Sequence, residues 1–233
     1  MKNNEIDGVL KAAQAPHGPE PETLKRVTES IRDSLQPVRP LPPRWVLTGG
    51  LILICAAVAL AGAARAGFFG IGRMNPWERV LIFSALGIFI VLAAKEYVNA
   101  MIPGSRRRVS AGALLGIGTL VLIGVFAVSF RDYRTDHFIS AGITCLLTGL
   151  LHAVPAALLS WLLLRRGFAV NAVSAGLAAG TLAGLAGVGV LELHCSNFQA
   201  AHVLLWHTAV VPLSAAGGAL FVWVLRLLQR SSS

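Results

Sequence analysis

The sequence predicts an all-α integral membrane protein: a bundle of six transmembrane helices behind a short helical N-terminal tail. Three observations predict it. Apolar residues come in continuous runs, not in the alternation that lipid-facing barrel strands need. Charged residues make up 13% of the 233, about half the share expected of a soluble domain. Six of the apolar runs are long enough for a bilayer, which takes about 20 residues per helix. The formal net charge is +9. In a membrane protein this reads as Lys and Arg gathered in cytoplasmic loops, so no direct nucleic-acid partner is expected.

Residues 1–44 form the polar tail, and 45–228 the membrane domain. Ile6, Val9, Leu10 and Ala13 have helical spacing, which Pro16, Gly18, Pro19 and Pro21 interrupt. A second helix is expected from Glu20-Pro21-Glu22, where proline and acids suit a first turn. Leu24, Val27, Ile31 and Leu35 form its single apolar stripe, to be covered by the tail's first helix, the membrane surface or a partner protein, and so a candidate partner-binding face. Pro37-Val38-Arg39-Pro40-Leu41-Pro42-Pro43 then makes an extended spacer.

The six segments are expected near 45–65, 79–101, 109–129, 138–164, 169–191 and 200–226. Segment one follows a tail too long and too acidic for a signal peptide, so it is read as retained. With the N-terminus inside, fourteen Lys and Arg fall on the inner side, Arg106-Arg107-Arg108 among them. Only Arg65, Arg73, Arg79, Arg131 and Arg134 fall outside. That bias places both termini in the cytoplasm. Lys95-Glu96 reads as a snorkelling pair near an inner helix end. Gly176, Gly180 and Gly184 mark a tight helix-packing face in segment five.

The chemistry concentrates in Leu193-His194-Cys195-Ser196-Asn197-Phe198-Gln199-Ala200-Ala201-His202, with Trp206 and His207 after it. Cys145 and His152, seven apart on segment four, share one face. Glu192, His194 and Cys195 are expected in the outer loop, with Asn197 as N-cap of segment six. His202 and His207 are five apart, so on an α-helix they point in different directions. Three readings stay open. One is a Cys145–Cys195 disulfide. Another is a soft-metal site for Zn or Cu, with ligands drawn from Cys195, Cys145 and His152, His194, His202 or His207. The third is plain packing. Cys55 reads as a small apolar residue. Gly-x-Ser-x-Gly and His-Glu-x-x-His are absent, as is a pair of buried carboxylates, so no enzyme is expected.

These features resemble the NrsF-type negative regulators of extracytoplasmic-function sigma factors, six-helix membrane proteins of bacteria. The resemblance rests on the Pro-rich spacer before segment one, the six-segment count with both ends inside, Leu193-His194-Cys195-Ser196 running into Ala200-Ala201 and Trp206, and the Cys145/Cys195 pair. It covers most of residues 30–225. It implies an inner-membrane protein whose cytoplasmic tail holds a sigma factor and whose paired outer cysteines respond to metal or oxidative stress. The chain departs from the pattern at Ser196, where the family usually has proline, and in its longer tail. His202 and His207 stand where aromatic residues are common, which favours metal over a plain disulfide. Two other classes fit less well. A small transporter would need a polar path, for which only Lys95, Glu96, Thr148 and His152 are at hand. A membrane metal- or redox-binding protein without a sigma-factor partner would carry a bound metal or chromophore.

Overall fold

The computed structural model describes residues 21–34, 41–105 and 109–231. The chain divides into two compact units, 1–40 and 41–233. In the first, helix α1 spans Pro21–Ser34, with Glu22 in its first turn and Arg32 in its last. Arg26 pairs with Glu22 one turn back at 3.5 Å, with both side chains largely exposed. Leu24, Val27 and Ile31 are each about half exposed. Leu35, the Arg106–Arg108 run, the spacer prolines before residue 41 and the earlier stripe from Ile6 to Ala13 lie outside the described residues.

Among its described residues the second unit holds six helices long and apolar enough to cross a membrane, and the protein is a multi-pass membrane protein. Five are α2 (Arg44–Ala66), α4 (Pro76–Ala100), α5 (Ala111–Ser129), α6 (Phe138–Leu164) and α7 (Ala172–His194). The sixth, Ala200–Gln229, is composite: α8 (Ala200–His202), a π turn (Val203–His207) and α9 (Thr208–Ser231). A short helix, α3 (Phe69–Arg73), lies between the first two spans; it is too brief to show any hydrophobic period. The starts are set by side chains. Asn75 and Glu78 form a reciprocal capping box ahead of α4, with Pro76 at its first position. Ser110 caps α5 and Asn171 caps α7, each accepting a backbone N–H at about 3 Å.

Helix α7 is the hub. It packs against all five other spans, and 78% of its apolar window is buried, against 22% for α5 and α6. Its small residues make this possible. A Cβ added at Gly180 would run into the backbone of Ser214 on α9, and one at Gly187 into the Gly149 carbonyl on α6. The outer faces of α2, α5, α6 and α9 expose Leu53, Leu120, Leu147, Leu151, Leu220 and Phe221, as surfaces in contact with lipid tails do. Trp45, Trp77, Trp161 and Trp223 are exposed near span ends, where indole suits the headgroup zone. Near the C-terminal end of α4, Lys95 is exposed and Glu96 is buried, so of this pair only Lys95 has the exposure snorkelling requires.

Candidate functional site

Cys145 lies about two turns into α6. The bundle end it shares with the α7–α8 loop is opposite the one where α2 begins. There its Sγ stands 3.4 Å from that of Cys195. Cys195 follows α7 directly, and its N–H closes that helix on the Leu191 carbonyl at 2.7 Å. His202 Nε2 is 3.8 Å from Cys195 Sγ. His207 completes a group in which one ligand atom from each of Cys145, Cys195, His202 and His207 lies within 4.8 Å of all the others. This group could hold a metal ion.

Two features of the local chain build it. The first is the π turn. On an α-helix His202 and His207 would be about 140° apart, as the sequence reading expected. Here the Thr208 N–H reaches the Val203 carbonyl, five residues back, and the widened turn brings the two rings edge to face at 5.3 Å. The second is the length of α7. Glu192 and His194 belong to this helix and not to the outer loop, because the helix continues through His194. Glu192 is therefore fully buried. It accepts a hydrogen bond from His207 Nδ1 at 2.6 Å, with both side chains at 0% exposure. Glu192 was missed as a site residue; an acid inside an otherwise apolar run was the available signal.

Neighbouring segments hold the loop in place. The Asp132 carbonyl accepts the Ala200 N–H at 2.5 Å, and Phe130 stacks on Phe198 at 4.9 Å. The Arg73 guanidinium donates to the Ser196 carbonyl at 3.1 Å. Asn197 does not cap the sixth helix as expected: Gln199 precedes its first residue, and Asn197 Oδ1 accepts the Gln199 N–H. The Cys195 thiol is held above the usual thiol range, first by its hydrogen bond with Cys145 and then by burial, while His202 and His207 oppose the rise.

His152 and His194 lie outside the group. The Nδ1 of His152 bonds the Thr148 carbonyl at 2.8 Å and its ring fills the space beside Gly62. His194 Nδ1 bonds the Gly67 carbonyl at 3.1 Å beside the Phe69 ring. Cys55 is buried in the core with its Sγ near the Leu182 carbonyl, as a small apolar residue would be.

Residues 32–227 match the family model NrsF, negative regulator of sigma F. The chain belongs to the NrsF family. No curated protein and no solved structure matches it. The NrsF match covers all six spans up to Leu227 and all four clustered residues, and it begins after Leu24, Val27 and Ile31. The NrsF name denotes negative regulation of a sigma factor, which is a regulator class and not an enzyme class.

Proposed function

We propose that this NrsF-family protein holds a sigma factor of the extracytoplasmic-function class at the bacterial inner membrane and releases it on metal or redox stress. In this reading both termini are cytoplasmic, residues 1–44 form the holding tail, and residues 45–228 form the sensing domain. The stripe of Leu24, Val27, Ile31 and Leu35 is the partner face, supported by the exposure of its first three residues. Cys145 and Cys195 are the sensing pair, and the single observation that carries this is their 3.4 Å approach inside a Cys/His group in which Cys145 is partly buried and the other three are buried. Free thiols at that distance have two exits. They can share a Zn or Cu ion, or they can lose two protons and two electrons to an oxidant and join. Either event ties α6 to the loop between α7 and α8, and biases one of two bundle packings.

The test is induction of the sigma factor's target genes. Cys145→Ser and Cys195→Ser are each expected to abolish the response while the sigma factor stays membrane-bound. A full response in the double variant would reject the sensing role. Retention of no sigma factor by wild-type membranes would leave a metal- or redox-binding membrane protein without this partner.

A further inference from the structure

We propose that Cys145, Cys195, His202 and His207 form one closed tetrahedral centre for a divalent cation of the zinc class, with Glu192 as the positioning residue behind His207. The chemistry stands on geometry alone; its use as a sensor rests on the regulatory reading above.

The spacing fits a tetrahedron. Zinc bonds of about 2.3 Å to sulfur and about 2.0–2.1 Å to nitrogen put tetrahedral S···S edges at about 3.8 Å and S···N edges at about 3.6 Å. The observed S···S distance is 3.4 Å and one S···N distance is 3.8 Å. These two edges lie within a few tenths of an ångström of the tetrahedral ones, and one donor atom from each of the four residues lies within 4.8 Å of all the others. A hydrogen-bonded thiol pair would account for the first distance but not for what surrounds it. His207 Nε2 is fully buried and makes no hydrogen bond of ordinary geometry among the described residues, with the Cys195 thiol nearby, while its Nδ1 is occupied by Glu192. A carboxylate fixing one imidazole nitrogen so that the other aims at a common point is the arrangement that orients metal-bound histidines. The buried, polar nitrogen of His207 is a donor of the kind a cation recruits.

The donor set selects the ion. Two thiolates exclude hard cations such as Mg²⁺ and Ca²⁺, and a four-donor S₂N₂ set is the zinc arrangement. Binding balances as M²⁺ plus two Cys–SH giving M(S–Cys)₂ plus two H⁺. The two thiolates then cancel the dication within an apolar surround, and both imidazoles coordinate as neutral groups.

The experiment titrates Co²⁺, a coloured stand-in for zinc, into the reduced full chain in detergent. The expected result is a tetrahedral visible band with a thiolate charge-transfer band, saturating at one Co²⁺ per chain and bleached by one Zn²⁺. Cys195→Ser and His207→Gln should lose the tetrahedral band. Glu192→Gln should keep it with affinity weakened about ten- to a hundredfold. His152→Gln and His194→Gln should bind as wild type does. The wild-type titration needs no variant to fold, and absence of a tetrahedral band there overturns the centre. A band that survives His207→Gln also overturns it, and unchanged affinity in Glu192→Gln overturns the positioning role. Sigma-factor capture by the same preparation is measured separately. Capture without Co²⁺ uptake overturns only the centre. Co²⁺ uptake without capture supports the centre and overturns the regulatory reading.

Discussion

Glu192 and His207 face each other in a part of the molecule with no access to water, and each needs the other. Removing one partner strands the other, a loss of about 1–3 kcal/mol or more for a charged group. Glu192→Ala should therefore lower the unfolding free energy measured in mixed micelles by at least that much. The paired change Glu192→Leu, His207→Leu should recover much of it, because nothing polar is left unpaired. An additive double variant would show that the two do not act as a unit. Outside the membrane, the Arg134 guanidinium beside Asp132 holds that carboxyl below its ordinary range, chiefly by their side-chain hydrogen bonds. A depressed carboxyl stabilises above its unfolded value of about 3.9 and ceases to do so as pH falls through the folded one. Protection of the Ala200 amide, held by the Asp132 carbonyl, should thus be constant from pH 8 to 5 and weaken only under stronger acid. Part of this site was legible in the sequence. The Cys145/Cys195 pair could be placed on one side of the membrane from span counts and the family resemblance. The His202/His207 pair could not be joined, because α-helical phase separates them and nothing in Val203-Leu204-Leu205-Trp206 announces a wider turn.

Among the elements, α7 carries the sharpest constraint. A side chain at Gly180 would overlap the Ser214 backbone, which has no rotamer by which to retreat. Gly180→Val should cost about 3 kcal/mol or more and reduce folded yield, at or beyond the usual range for overpacking. Gly217→Ala on α9, with nothing within 4 Å of the added carbon, should leave yield unchanged. Similar yields for the two would remove α7 from its role as hub. On α1, Ile31→Asp places a carboxylate on the proposed partner face, where an unpaired buried charge costs several kcal/mol. It should release the sigma factor in a membrane pull-down, and Lys25→Ala should not. All six spans were visible in the sequence because bilayer thickness demands long apolar runs. Their ends were less so. Segment two begins three residues earlier than hydropathy indicates, because the Asn75–Glu78 box starts the helix on polar residues. Segment five is displaced three residues toward its C-terminus, because Asn171 sets its start and a paired Glu192 lets it continue.

At the scale of the whole molecule, six crossings place the clustered residues at the end of the bundle opposite Arg44. Cys195 is too buried to report sidedness, so the probe belongs at exposed Ser196. In a chain with Cys55, Cys145 and Cys195 replaced, Ser196→Cys should react with a membrane-impermeant maleimide on intact cells. Labelling only after lysis would reverse the assigned orientation. A Cys145–Cys195 bond closes a loop of 50 positions, for which chain entropy gives about 4 kcal/mol. Moving a two-state equilibrium from mostly off to mostly on takes about 5.5 kcal/mol. The oxidised protein should therefore unfold at clearly higher denaturant than the reduced one, with a bias of the right order to switch the bundle. The π turn has a consequence beyond bringing two histidines together. One extra residue in a helix advances everything after it by about 100°. Before the turn, His202 is in register with the cysteines. After it, Ser214 and Gly218 are in register with the glycines of α7. The turn is thus a phase adjuster between a chemical site and a packing seam, and both depend on the number of residues from 203 to 207 more than on their identity. Deleting Leu205, half exposed and chemically dispensable, is expected to do more harm than replacing it with any apolar residue, since no straight helix keeps both alignments.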